Sequence, residues 1–422
     1  MQGMIAAGWH WGATLGAPVL RRMLDRRVVI GKEEAARLGE RRGVEHMARP
    51  VGRLLWIHAA SVGEAISVLP VLTSLTAEDP ALTILFTTGT LTSARLLDRR
   101  LPELGLDRVL HRFVPLDVPA WAARFLDHWQ PDAAAFVESE LWPNLIAGCQ
   151  RRSIPLMLIN GRMSAGSLRR WRWAGGFARQ VVGAFDRVHA QSADYAGRLK
   201  QLGARGLLPP GNLKLAAAAL PVDPIEVARL QALIGDRPVW LAASTHPGEE
   251  AIAAAVHRRL EADYPGLLTI IAPRHPDRGT AVAADAGNAS RRSLGEDPPE
   301  GGIWIADTLG ELGLLYTLAP IVFIGRSLAG RGGQNPLEAA RFGAALAIGP
   351  HTENFPDIVR LLQSVGGLAQ VADADELGDW VSRMVRDPAA RQTAGQAALG
   401  VADGESGLPD RIAGALIELI RR

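Results

Sequence analysis

Leu54-Leu55-Trp56-Ile57-His58-Ala59-Ala60-Ser61-Val62-Gly63-Glu64 decides the fold. An apolar run too short for a helix passes into a turn of small residues and then into a helical pattern beginning near Glu64, which is the strand–turn–helix step of a βα unit. The step recurs outward from there. Strand candidates Leu82 to Thr87, Ala133 to Val137, Leu156 to Ile159 and Arg187 to Ala190 follow in the N-terminal half. Val239 to Ala243, Leu267 to Ile271, Ile303 to Ile305, Ile321 to Ile324, Ala345 to Ile348 and Leu368 to Val371 form a second series. Between the series an alanine run from Ala216 leads into Leu220-Pro221-Val222-Asp223 and reads as a linker, with the boundary near residue 218. The predicted architecture is α/β, two Rossmann-like domains facing a cleft. A first domain over 31–217 and a second over 218–388 are preceded by a segment 1–30 and followed by a C-terminal helix, 389–422, that is able to return to the first domain.

Composition narrows the function. With 422 residues, 48% of them hydrophobic and 21% charged, the chain has enough apolar surface for two cores and no tract that must stay disordered. Its single cysteine, Cys149, excludes a disulfide framework or a cysteine metal site. The formal charge of +2 argues against nucleic acid as a partner. The histidines show no His-Glu-x-x-His spacing, so neither metal nor cofactor is expected. Arginines cluster twice, each time beside tryptophan. Arg21, Arg22, Arg26 and Arg27 follow the apolar stretch Met4 to Leu20 with its Trp9 and Trp11, and Arg169, Arg170 and Arg172 alternate with Trp171 and Trp173. That pattern suits a membrane surface, and a helix docked on the protein body is the plainer alternative for the N-terminal stretch.

Residues just after strands are the ones positioned for chemistry in open parallel sheets. Glu64, in a first helical turn, suits a general base, or is simply a helix-start carboxylate. Glu138 and Glu140 in Glu138-Ser139-Glu140-Leu141-Trp142-Pro143-Asn144 follow another strand, with helix capping as the alternative. Gly211-Asn212-Leu213-Lys214, Ser244-Thr245-His246 and Pro273-Arg274-His275 are read as anion-handling groups of the second domain. Gly325-Arg326-Ser327 through Gly332-Gly333-Gln334-Asn335-Pro336-Leu337-Glu338 reads as a glycine-rich loop whose amides approach an anion. Asn335 caps the following helix, and Glu338 accepts hydrogen bonds from ribose hydroxyls.

These segments together resemble the 3-deoxy-D-manno-octulosonic acid (Kdo) transferases of lipopolysaccharide synthesis. The likeness is carried by His58 to Glu64, Glu138 to Asn144, Asn160-Gly161-Arg162-Met163-Ser164, Gly211 to Lys214, Ser244 to Glu250, Pro273 to Arg278, Asp307 to Leu312 and Gly332 to Glu338. The resemblance implies a GT-B type fold and inverting, metal-independent transfer from CMP-Kdo to lipid IVA or a related lipid A precursor. It also implies a place at the cytoplasmic face of the bacterial inner membrane, peripheral or monotopic. By the same carry-over Glu64 is the base, and Glu138 and Lys214 stabilise charge. Pro273, Arg274, Gly310, Glu311, Leu312, Asn335, Pro336, Leu337 and Glu338 hold CMP. The chain departs from the family pattern at Gln334, Arg326 and Leu215-Ala216. Two rival readings are another tandem-Rossmann enzyme acting on a UDP-sugar and a membrane-tethered, non-catalytic nucleotide-sugar sensor.

Overall fold

The computed structural model describes residues 2–216 and 220–421. The expected boundary near residue 218 lies outside the described residues. Contacts divide the chain into two compact units, Met1–Ala217 with Glu405–Arg422, and Ala218–Gly404.

In the first unit the described strands are β1 (Leu54–Ala59), β2 (Thr83–Thr88), β3 (Val109–Phe113), β4 (Ala133–Val137), β5 (Leu156–Gly161) and β6 (Arg187–Ala190). They form a parallel sheet of order β3-β2-β1-β4-β5-β6. β1, β2, β4 and β5 are buried along their whole length, as strands covered by helices on both faces must be, and they therefore read as unbroken apolar runs. β3 escaped that reading. It lies at the sheet edge, its burial alternates, and His111 and Arg112 interrupt the apolar pattern. Alternate residues of β1 feed opposite cores. Leu55, Ile57 and Ala59 pack under the helices Val62–Glu78 and Leu408–Ile420, while Leu54 and Trp56 pack with Phe125, Leu126, Leu145 and Val181 on the other face.

The segment expected as one C-terminal helix is two. Pro388–Asp403 remains with the second unit, and Leu408–Ile420 packs on Val62–Glu78 in the first, burying Leu408, Ile412, Leu416, Ile417 and Leu419. Gly404 and Gly407 flank the break between them. Each buried leucine or isoleucine contributes about 1.5–3 kcal/mol relative to exposure.

Residues Gln2–Val29 form one helix. One side docks: Leu24 is buried with Val118 and Trp121, and the Trp9 indole donates to Asp117 Oδ2 at 3.0 Å. Asp117 also accepts from the Asn144 and Leu145 amides at 3.1 and 2.9 Å, so it ties that helix to the start of the helix Pro143–Arg151. The opposite side carries Trp11, Leu15, Val19 and Met23, exposed by 62%, 77%, 68% and 40%. No helix among the described residues is long and apolar enough to cross a membrane.

The second unit holds β7 (Val239–Thr245), β8 (Leu268–Pro273), β9 (Ser290–Arg291), β10 (Gly302–Ile305), β11 (Ile321–Ile324), β12 (Ala345–Ile348) and β13 (Leu368–Gln370) among its described residues. Their order is β13-β12-β11-β7-β8-β10-β9, again parallel throughout. β9 was not anticipated from sequence because two residues carry no periodicity.

Two buried imidazoles of the first unit make stability depend on pH. Burial, reinforced by Arg37, Arg112 and Arg41, pushes His111 from 6.5 down to about 3, and burial with Arg411 pushes His189 down to about 4. The unfolded chain then binds protons that the folded chain refuses, so stability present above pH 6.5 is lost as pH falls toward these values. Urea unfolding followed across this range is expected to show a falling midpoint that flattens in His189→Gln; an equally steep fall in that variant would assign the acid sensitivity elsewhere.

Candidate active site

Strand order locates the site in each unit. In the first, the chain builds β1, β2 and β3 in one direction and β4, β5 and β6 in the other, so the order reverses between β1 and β4. Ligands of open parallel sheets bind outside the carboxyl ends of the strands at such a reversal. Glu64 follows β1, and Glu138 and Glu140 follow β4.

Ser61 caps the helix Val62–Glu78 by accepting from the Glu64 amide at 3.3 Å, so the helix begins two residues ahead of Glu64. The Glu64 carboxylate folds back to accept from the Ala60 amide at 2.8 Å and the Ser61 hydroxyl at 3.0 Å. This is capping-box chemistry, yet it does not exhaust the group. Burial raises the carboxyl's proton affinity above its ordinary value, the Ala60 amide opposes the rise, and the charges of Glu140 and Glu138 add to it. A carboxylate with raised proton affinity is the better proton acceptor near neutral pH.

Glu138 is buried and held at φ +56°, a conformation costing about 1–3 kcal/mol outside glycine. The Lys214 ammonium stands 2.6 Å from its Oε1, an ion-pair contact without hydrogen-bond alignment. Glu140 accepts from the Trp142 indole at 2.5 Å and lies 3.4 Å from His58 Nε2. The other ring nitrogen of His58 is 3.1 Å from the Thr87 carbonyl, and that oxygen can only accept. The sequence reading put Gly211 to Lys214 among the anion-handling groups of the second domain. The structure places them in the first unit beside Glu138, because the Gly211 amide bonds the Ala190 carbonyl at 3.0 Å and the Leu213 amide bonds Asn160 Oδ1 at 3.0 Å.

In the second unit the order reverses at β7, with β8 on one side and β11 on the other. Pro273 ends β8, and Arg274 follows it with an exposed side chain and its amide on the Thr245 carbonyl at 3.0 Å. His246 and His275 meet edge to face at 5.8 Å, and the Gln334 amide nitrogen lies 3.4 Å from His246 Nε2. Gly325 passes so close to β7 that a Cβ there would stand 2.5 Å from the Ser244 carbonyl.

The glycine-rich loop differs from its sequence reading in one respect. Its first amides do face an anion, but the anion belongs to the protein. The buried Glu249 carboxylate accepts from the amides of Arg326, Ser327 and Leu328 at 2.7, 2.8 and 2.9 Å, from Ala329 at 3.4 Å, and from His246 at 2.9 Å. Gly332 donates to Glu353 at 2.8 Å. Sequence reasoning passed over Glu249 because a glutamate at the start of a helix is commonplace.

Asn335 caps the short helix Pro336–Ala340 by accepting from the Leu337 amide at 3.2 Å. Burial raises the proton affinity of Glu338, opposed by the Asn335 side chain 3.5 Å away and by the charges of Arg274 and Arg341. Gly310, at φ +83°, Glu311 and Leu312 form the turn beyond β10. The Glu311 side chain is already engaged by Arg292 at 2.5 and 2.6 Å and by the Thr308 hydroxyl, and its carbonyl accepts from the Leu315 amide at 3.1 Å. Thus Arg274, beyond β8, and Glu338, beyond β11, are electrostatic neighbours at the ends of the two strands that flank β7. No three His, Cys, Asp or Glu side chains among the described residues stand together as a metal site requires.

The family described as "3-Deoxy-D-manno-octulosonic-acid transferase (kdotransferase)" matches residues 36–217. The 3-deoxy-D-manno-octulosonic acid transferase of Haemophilus influenzae is 36% identical over 396 residues, spanning 92% of each protein. This chain belongs to the Kdo transferase family. A probable mitochondrial Kdo transferase of Arabidopsis thaliana is 34% identical over 89% of this chain and 87% of its own length. The Bordetella pertussis transferase is 34% identical over 87% of each. Membership makes the chain a glycosyltransferase. Solved structures show the same fold: a UDP-GlcNAc 2-epimerase of Neisseria meningitidis has a TM-score of 0.55 at 12% identity, covering 88% of this chain and 100% of its own. MurG of Acinetobacter baumannii has 0.53 at 11%, covering 87% and 100%. The architecture of this Kdo transferase family member is thus the GT-B type.

Removing the internal anion tests its part in the loop. Glu249→Ala leaves the loop amides without their acceptor, and chemical denaturation is expected to register a loss of more than about 3 kcal/mol. A variant within about 1 kcal/mol of wild type would mean that the loop holds its own shape.

Proposed function

We propose that the chain transfers Kdo from CMP-Kdo to lipid IVA or a related lipid A precursor, with inversion and without a metal ion. The observation that carries the proposal is Glu64: a half-buried carboxyl of raised proton affinity at the first unit's strand reversal, in a chain of this family. In the reaction an acceptor hydroxyl attacks the anomeric carbon, the bond to the phosphate oxygen breaks, and CMP leaves with the electron pair. Glu64 takes the hydroxyl proton as an oxocarbenium-like centre develops. Lys214, steadied by Glu138, and Arg274 offset charge on the departing phosphate. Pro273, Arg274, the backbone of Gly310, Glu311 and Leu312, and Asn335 to Glu338 hold CMP. Glu338 accepts from ribose hydroxyls, which its coupling to Arg274 supports.

We also place the protein peripherally or monotopically at the cytoplasmic face of the inner membrane. The exposed stripe Trp11, Leu15, Val19 and Met23 beside Arg22 and Arg26, and the exposed Trp173 beside Arg172, support this. An apolar face flanked by arginines partitions into an anionic interface.

Three outcomes are expected. Glu64→Gln lowers kcat by about 10²–10⁴-fold, the span of general-base contributions, with CMP affinity unchanged. In the wild type kcat/KM falls as pH drops through the raised Glu64 value, and that limb vanishes in the variant; transfer from CMP-Kdo generated in situ, read by product mass with and without EDTA, checks both. An almost fully active Glu64→Gln would sink the assignment. Leu15→Ser with Val19→Ser reduces flotation with anionic vesicles while leaving the unfolding midpoint unchanged, and undiminished flotation would remove this helix from the membrane contact.

A further inference from the structure

The flexible four-carbon stem of a lysine does not fix its own ammonium; the backbone that carries it must be anchored. For Lys214 the anchor nearest in sequence that comes from the sheet is a side chain. Asn160 Oδ1 accepts the Leu213 amide at 3.0 Å, and the next residue places its ammonium 2.6 Å from Glu138. The partner is held by the neighbouring residue of the same strand, since the Glu138 amide donates to the Ile159 carbonyl at 2.8 Å. Two consecutive residues of β5 therefore hold both halves of the ion pair. We propose that Asn160 is a positioning residue for transfer, setting the reach of Lys214 toward Glu138 and the departing phosphate. This rests on the role proposed for Lys214 above.

Asn160 is built for that task. It is wholly inaccessible to solvent and stands at φ +54°, where asparagine is among the few residues tolerated. Its own amide donates to His189 Nδ1 at 3.1 Å, which requires a lone pair on that nitrogen and so fixes the proton of the neutral ring on Nε2. Burial keeps that ring uncharged down to about 4, so the peptide at Asn160 stays anchored throughout the working range of a cytoplasmic enzyme. Lys214 is further steadied by its own amide, which bonds Asn212 Oδ1 at 3.1 Å.

The test is a double-mutant cycle on the full chain. Asn160→Gly keeps the backbone conformation and removes the acceptor oxygen; Asn160→Asp keeps both. Asn160→Gly is expected to lower kcat about a hundredfold, the cost of misplacing a catalytic group by about 1 Å, without altering CMP affinity. Asn160→Asp is expected to fall much nearer wild type. In a Lys214→Ala background Asn160→Gly should change kcat by less than about twofold, because residues acting through one another are not additive. The same factor in both backgrounds, or full activity of Asn160→Gly, overturns the proposal, and thermal unfolding of each variant separates it from loss of fold. A fully active Lys214→Ala is a different result: it removes the role of Lys214 itself.

Discussion

A parallel sheet whose strand order reverses beside its first strand is the constraint on which the rest depends. Helices cover both faces, so side chains along β1, β4, β7 and β8 have nowhere to point but into apolar cores. Chemistry is left to the carboxyl ends. The reversal between β1 and β4 then brings the turn carrying Glu64 alongside the one carrying Glu138 and Glu140, across a long interval of sequence. The charges of Glu140 and Glu138 add to the raised proton affinity of Glu64, and Lys214 reaches Glu138 on a segment anchored to Asn160.

Two glutamates at helix starts show how local context divides structural from reactive groups. Glu64 accepts two hydrogen bonds, is half-buried, and has carboxylates for neighbours, so it is partly satisfied and more basic than usual. Glu249 is sealed from solvent and accepts from five amides, which consumes its acceptor capacity and converts the following glycine-rich loop into a fixed ring around it. The same residue type at the same kind of position is left partly free in one unit and is consumed by architecture in the other.

The sequence was most legible where burial is two-sided. β1, β4, β7, β11 and β12 are unbroken apolar runs whose ends fall within a residue or two of those expected, and the residues after them were rightly singled out as neighbours of the strand ends. The edge strand β3 was lost because a half-exposed strand carries polar residues, and β9 because it is too short to show a pattern. Lys214 was grouped with the anion-handling residues of the second domain although it precedes the expected boundary, and what ties its segment to the first sheet, the Gly211 amide on Ala190 and the Leu213 amide on a buried asparagine, leaves no periodic trace. Glu249, inside a segment that carries the resemblance, was given no role for a related reason: its partners are backbone amides of a loop far along the chain, and amides have no identity in a sequence.

The first unit is completed only after the second, because Leu408–Ile420 packs on Val62–Glu78 and on β4 and β5 of its sheet. During synthesis that part of the sheet leaves the ribosome before this helix exists, whereas the second unit lies in one uninterrupted stretch. Domains ordinarily mature from the N-terminus onward as they emerge. Here the order is inverted: the half that starts first finishes last, and in the interval part of its apolar sheet lacks one of its covering helices.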